Sequence, residues 1–270
     1  MLKISPINAF SDNYIWLIQT NEGNTLVDPG DSEPIISTID KLGITIDDIL
    51  ITHHHFDHVG GLESLKPLIK GSVIGPKNKS IDLLDKQVGE GDFVKSIGLE
   101  FSIFEVPGHT LDHIAFYSDT EKEVLFCGDT IFSGGCGRVF EGTFEQMNHS
   151  LEKLVSLPSR TEIYCAHEYT LSNLKFALLA EPKNLNLKEY QLNSTEKRKN
   201  NIPTIPTTLG QELQINPFLR VAEISLREAI SDKLECSNQA SNAEVFGFLR
   251  SWKDSLEFLS QFLFSMDVQI

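Results

Sequence analysis

An α/β chain of the α+β kind, a layered sheet domain over residues 1–167 followed by a smaller, mostly helical domain over 168–270, is what three features of the sequence predict. Residues 1–167 alternate short apolar runs with Gly-rich turns, the pattern of buried strands. A few stretches with helical spacing lie between them, and many strands with interspersed helices make a layered sheet structure. After residue 167 the composition shifts to Leu, Lys, Glu and Asn, and helical spacing takes over.

In chain order, apolar runs predict strands at 14–19, 24–27, 49–51, 72–74, 101–106, 114–117, 124–127 and 162–165. Helical spacing predicts helices at 33–42, 62–68 and 144–157 in the same part. In the second part it predicts them at about 171–181, 184–200, 221–232 and 241–264. The stretch Ile202-Pro203-Thr204-Ile205-Pro206-Thr207 must interrupt that series. Proline removes a backbone donor and disfavours helix at the residue before it. No internal repeat or low-complexity segment is visible.

Composition excludes several classes. Apolar residues make up 40%, enough for a sizeable core, and the net charge is −15. Binding to nucleic acid or to an anionic membrane needs a basic surface, so neither is expected as a partner. Cys127, Cys136, Cys165 and Cys236 form no CxxC pair and are too sparse for a disulfide framework, which fits reduced thiols and a cytoplasmic setting. Met1-Leu2-Lys3-Ile4-Ser5-Pro6 has no apolar signal-peptide core. No apolar run approaches the ~18 residues of a membrane span.

The chemistry is concentrated in Thr52-His53-His54-His55-Phe56-Asp57-His58, just after the apolar run 49–51. In extended chain His53 and His55 point to one side and His54 to the other. His53 and His55 can therefore grip one ion, while Asp57 and His58, past the bend, reach a second; His54 is left a structural role. His109 in Pro107-Gly108-His109-Thr110, Asp129 in Gly128-Asp129-Thr130 and His167 in Ala166-His167-Glu168-Tyr169 follow three further strands. Seven donors are too many for one tetrahedral zinc and suit two ions sharing a carboxylate. Zinc is the expected metal, and iron or manganese accept the same donors. His113 and His149 lack a motif and read as ordinary polar residues. Cys127 and Cys165 read as core residues, and Cys136 as structural.

The T-H-x-H-x-D-H run and the P-G-H-T, G-D-T and A-H-E-Y segments, in that order, resemble the metallo-β-lactamase superfamily. Four more segments make the chain similar to the glyoxalase II (hydroxyacylglutathione hydrolase) family: Ala9–Tyr14, Gly135–Thr143, Asn216–Arg220 and Arg250–Lys253. That resemblance implies an αββα sandwich followed by the helical domain. It implies one ion held by His53, His55 and His109, another by Asp57, His58 and His167, and Asp129 bridging them. Asp57 and Asp129 would serve catalysis by holding those ions, with no separate protein nucleophile. Arg138, Phe140, Tyr169, Arg250 and Lys253 fall at glutathione-binding positions.

The implied reaction is hydrolysis of S-D-lactoylglutathione and other 2-hydroxyacyl-glutathiones to glutathione and D-lactate by a hydroxide held between the ions. This is the second step of methylglyoxal detoxification, and a monomer suffices for it. An anionic substrate needs a basic entrance on so acidic a protein, and Arg138, Arg250 and Lys253 are assigned to it. Arg138 stands where a lysine also occurs. Phe140 stands where some members have tyrosine, and its ring is expected in the glutathione cleft, far from the reacting carbon. A mononuclear-iron persulfide dioxygenase is the rival enzyme, and it needs neither the helical domain nor Arg250 and Lys253. A β-lactamase or lactonase is weaker on the same ground, and a nuclease conflicts with the −15 charge. A catalytically silent metal-binding module is opposed by the intact donor set.

Overall fold

The computed structural model describes residues 1–233 and 240–267, with 257–267 as backbone only, so Cys236 lies outside the described residues. The first sheet runs in spatial order through β1 (Lys3–Ala9), β2 (Asn13–Gln19), β3 (Asn24–Val27), β4 (Asp48–Leu50), β5 (Val73–Pro76) and β6 (Lys86–Val88). The first three strands are antiparallel, and β3 to β6 pair in parallel. Parallel neighbours need a crossover. Helix α1 (Ser32–Leu42) supplies the one between β3 and β4. Asp31 caps its start by accepting from Glu33 N, and Gly43 ends it in the left-handed region at φ 63°.

The second sheet combines β7 (Phe93–Ser96), β8 (Leu99–Glu105), β9 (Ile114–Ser118) and β10 (Val124–Gly128) with β13 (Glu162–Cys165) and β14 (Thr207–Thr208). A small ribbon of β11 (Ile131–Phe132) and β12 (Gly135–Cys136) lies beside it in sequence. Helices α2 (Phe56–Val59), α3 (Leu62–Leu65) and α4 (Phe144–Val155) belong to this part of the chain. Strand β2 shows why two layers form. Tyr14, Trp16 and Ile18 enter a core shared with the second sheet, whereas Ile15 and Leu17 join Ile35 of α1 and Leu62 of α3 in a separate core. A strand buried on both faces reads as a continuous apolar run rather than an alternating one.

The helical part comprises α5 (Thr170–Ala180), α6 (Leu185–Lys199), α7 (Leu209–Ile215), α8 (Ile224–Ile230) and α9 (Asn242–Asp267). Phe176, Phe218, Val245, Phe246 and Leu249 from this part enter the inter-sheet core together with Met147 and Leu151 of α4. Strand β14 pairs with β13, so the helical part also contributes the edge of the second sheet. The eight expected strands are all present, with ends shifted by at most two residues. The sequence reading missed β1, β6, β7, β14 and the ribbon. These are short or half-exposed, and β1 contains Pro6, which an edge strand tolerates. It also missed α7, one of the shorter helices, and the expected 62–68 helix tightens into a 3₁₀ turn at Lys66–Leu68, around Pro67. No helix among the described residues is long and apolar enough to cross a membrane.

Candidate active site

The C-terminal ends of β4, β8, β10 and β13 open into one cleft, and each delivers donors to it. The entry from β4 is held by Asp28, whose carboxylate accepts from Thr52 N and Thr52 Oγ1, both at 2.8 Å. Thr52 Oγ1 donates to Asp28, so it accepts from His53 Nδ1 at 3.1 Å and leaves Nε2 facing the cleft. His109 Nδ1 donates to Arg138 O at 2.8 Å, and His167 Nδ1 donates to Asp12 Oδ1 at 2.8 Å. His58 Nδ1 lies 3.0 Å from Asp28 Oδ2. His53, His109 and His167 thus have Nδ1 hydrogen-bonded and present Nε2 inward, His58 sets its Nδ1 beside Asp28 and turns Nε2 to the donors, and His55 presents Nδ1. Partners of this kind fix the tautomer and orientation of a metal-binding imidazole.

The inward atoms form two sets. His55 Nδ1 is 3.1 Å from His53 Nε2 and 3.0 Å from His109 Nε2. Asp57 Oδ2 is 3.6 Å from His58 Nε2 and 3.4 Å from His167 Nε2. Asp129 stands between them, with Oδ1 3.4 Å from His58 Nε2 and Oδ2 3.4 Å from both His109 Nε2 and His167 Nε2. Nitrogens this close suit a shared ion about 2.0–2.1 Å from each. His58 Nε2 and Asp129 Oδ1 are buried with no hydrogen-bond partner among the described residues. A buried polar atom left so carries a desolvation cost that a cation removes. The donor set therefore fits divalent ions, with His53, His55 and His109 in one group, Asp57, His58 and His167 in another, and His53, His58 and Asp129 linking the two.

Electrostatics favour the same occupants. Burial alone would raise the Asp129 and Asp57 carboxyls, but the His167 and His58 rings around them hold both well below the usual carboxylate range. Burial, reinforced by neighbouring imidazoles, pushes His53 and His55 down, and burial outweighs Asp129 and the Arg138 carbonyl to push His109 down too, which favours the neutral ring in all three. Burial opposes a charge on His58 and His167 too, yet the surrounding carboxylates overcome it and raise both.

Several residues here escaped the sequence reading. His113 is no ordinary polar residue. It is fully buried, stacks on His53 at 4.5 Å, and its Nε2 accepts from Asp129 N at 3.1 Å. Burial and His109 push it down to about 3, which keeps that nitrogen an acceptor. Its signal was its place, four residues after His109 and just before an apolar run. Asn13 Nδ2 donates to Asp57 Oδ2 at 2.9 Å, so Asp12 and Asn13 together orient His167 and Asp57. His54 turns away from the donors as strand alternation requires, and His149 is exposed on α4.

The donors floor a cavity of about 460 Å³ whose other walls carry Arg138, Phe140, Tyr169, Asn173, Arg250 and Lys253. Arg250 is 1% exposed; its Nη1 donates to Cys136 O at 3.0 Å and its Nη2 to Asp254 Oδ1 at 2.8 Å. Arg138 Nε donates to the same Asp254 oxygen at 3.2 Å. Lys253 Nζ donates to Asn173 Oδ1 at 2.6 Å. These cations sit inside the cleft rather than on an open helix face. Tyr169 stacks on His167 at 4.6 Å. Phe140, 60% exposed, meets His109 edge-on at 5.3 Å and His55 at 5.9 Å. That corrects the expectation that it lies far from the reacting centre, because the backbone bond from Phe140 N to His109 O pins it beside the first donor set.

The loop bearing Arg138 is positioned from below. A Cβ at Gly137 would lie 1.9 Å from Asp129 O, so only glycine allows this approach. Glu212 of α7 accepts from Ser133 Oγ at 3.0 Å and Gly134 N at 2.8 Å, and Asn216 Nδ2 donates to Gly135 O at 2.8 Å.

Comparison with known proteins agrees with this architecture. Residues 10–167 match the family model described as metallo-beta-lactamase superfamily, and 168–256 match that of the hydroxyacylglutathione hydrolase C-terminus. The hydroxyacylglutathione hydrolase of Aliivibrio salmonicida is 50% identical over 256 residues, 94% of this chain and 99% of the relative. Its counterpart in Pseudomonas aeruginosa is 48% identical over 257 residues, with the same coverage. Among solved structures, the B3 metallo-beta-lactamase BLEG-1 superposes with a TM-score of 0.60 at 23% identity, covering 81% of this chain and 99% of that one, which speaks to the fold alone.

Proposed function

Since the chain belongs to the hydroxyacylglutathione hydrolase family of the metallo-β-lactamase superfamily, we propose that it hydrolyses S-D-lactoylglutathione and related 2-hydroxyacyl-glutathiones to glutathione and D-lactate. The observation that carries this reading is the clustering of seven donors, Asp129 among them, at the floor of a cleft walled by Arg138, Arg250 and Lys253. His53, His55 and His109 would hold one divalent ion and Asp57, His58 and His167 the other, with Asp129 placed between the two sets. Zinc is the first choice, and iron and manganese accept the same nitrogen and carboxylate donors. Bound ions of this kind activate water near neutral pH and polarise a carbonyl.

The chain's own residues do the rest. Arg138, Arg250 and Lys253 attract the glutathione carboxylates by charge-assisted hydrogen bonds. Tyr169 and Phe140 flank the reacting end, one against each donor set. Asp12, Asp28 and Thr52 hold the imidazoles in orientation. The leaving thiolate has a free pKa of about 8.5 and needs little help from a general acid. The persulfide dioxygenase alternative leaves the helical part and its buried cations without a task. One chain completes the whole cleft, so a monomer is competent, and buried free Cys127, Cys136 and Cys165 suit a reducing cytoplasm.

The test is loss of thioester absorbance with and without a chelator, run beside metal analysis of protein purified without added metal. Chelator-sensitive hydrolysis with about two ions per chain is expected. Undiminished hydrolysis by metal-free protein would refute the reading.

A further inference from the structure

His54 lies between two donors and takes no part in the chemistry above, yet its ring sits between two carboxylates. Nδ1 donates to Asp112 Oδ1 at 2.9 Å, and Nε2 faces Glu141 Oε1 at 3.4 Å. Asp112 belongs to the loop that carries His109 and His113, and Glu141 follows Phe140 in the loop that carries Arg138. We propose that His54 is a positioning residue, a strut joining the donor-bearing segment 53–58 to both loops and setting where Arg138 and Phe140 stand above the donors. The proposal rests on the reading of that loop as a substrate wall.

Three observations carry it. Strand alternation sends His54 away from His53 and His55, so its ring meets the loops instead of the donor centre. The carboxylates it touches are each tied into a loop: Asp112 accepts from Thr110 Oγ1 at 2.6 Å and from Asn78 Nδ2 at 2.7 Å, and Glu141 Oε2 accepts from Leu111 N at 2.8 Å. The loops also meet directly, through Leu111 N to Glu141 Oε2, through His109 Nδ1 to Arg138 O at 2.8 Å, and through backbone bonds from Phe140 N to His109 O at 3.2 Å and from Gly142 N to Gly108 O at 3.1 Å, so His54 adds the tie from both loops to the 53–58 segment. Removing the ring would leave the loops in contact but lower their definition. A third cation among His54, Asp112 and Glu141 is the competing idea, since their ligand atoms fall within 4.8 Å of one another. It is weaker because both Asp112 oxygens and Glu141 Oε2 already accept hydrogen bonds.

The experiment compares His54→Ala, His54→Asn, Glu141→Gln and the double variant His54→Ala/Glu141→Gln with the wild type. It reads kcat, KM, metal content, and amide hydrogen exchange over 138–142. His54→Ala should raise KM about three- to tenfold with kcat held within about twofold, unchanged metal content and faster exchange in the loop. His54→Asn keeps a donor for Asp112 and should recover part of that loss. The double variant should be no worse than the weaker single variant, because both remove one coupling. Unchanged KM and exchange in His54→Ala, multiplicative losses in the double variant, or loss of a bound ion would each overturn the strut. A wild type that leaves the thioester intact refutes the functional reading instead, and exchange over 138–142 still decides the strut.

Discussion

At the scale of single residues, the site depends on atoms that have no alternative partner. Asp129 lies between the donor sets, in contact with both, so Asp129→Ala should lower occupancy of both sites and nearly abolish hydrolysis; elemental analysis beside the thioester assay checks it, and two retained ions with intact activity would contradict it. The carboxylates around His58 and His167 favour a proton on each ring in the metal-free protein, and such protons must leave when ions bind. Apparent metal affinity should therefore climb with pH, more steeply for the Asp57, His58 and His167 set than for the neutral His53, His55 and His109 set. Chelator competition at about pH 6 and about pH 8 measures it, and equal affinity at both would refute the proton assignment. Phe140→Tyr adds one neutral hydrogen bond worth about 0.5–1.5 kcal/mol at best, so KM should fall by no more than roughly tenfold. Because the ring stands edge-on to His55 and His109, kcat should change as well, and a kcat identical to wild type would place the ring outside the reacting zone.

At the scale of elements, α9 shows what periodicity conveys and what it omits. Helical spacing marks 241–264 as a helix and shows which positions share a face. It does not show that this face closes the cleft opposite β4 and β13. Arg250 and Lys253 look like surface charge in the sequence, and their assignment came from the family resemblance alone. In the folded chain Lys253 meets Asn173, and Arg250 meets the carbonyl of Cys136, 114 positions away. Lys253→Ala should raise KM clearly with metal content constant, since charge-assisted bonds contribute about 1.5–3 kcal/mol. Arg250→Ala should do the same and also lower the melting temperature, because it releases the Gly135–Cys136 ribbon; an unchanged KM in both would show that α9 does not face the substrate.

At the scale of the whole molecule, the helical part is structural beyond the substrate wall proposed for it. It supplies β14 to the second sheet, Glu212 to the Ser133–Gly134 turn, and Phe176, Phe218 and Phe246 to the shared core. A chain ending at residue 167 should therefore lose cooperative thermal unfolding along with thioester activity, as circular dichroism would show; a cooperative, metal-loaded fragment would refute this. The sequence by itself determined the strands from 14 to 165, most of the helices beyond them and the His and Asp side chains that follow the strand ends. Those properties depend on residue type at short spacing, which a local pattern records. Only the tertiary structure decided that Asp12 orients His167 from 155 positions away, that Asp28 receives His58, that His113 braces His53 and Asp129, and that Phe140 stands beside the first donor set. Each of those contacts joins separate loops at the sheet ends, and a periodic pattern says which face is buried without saying what it will meet.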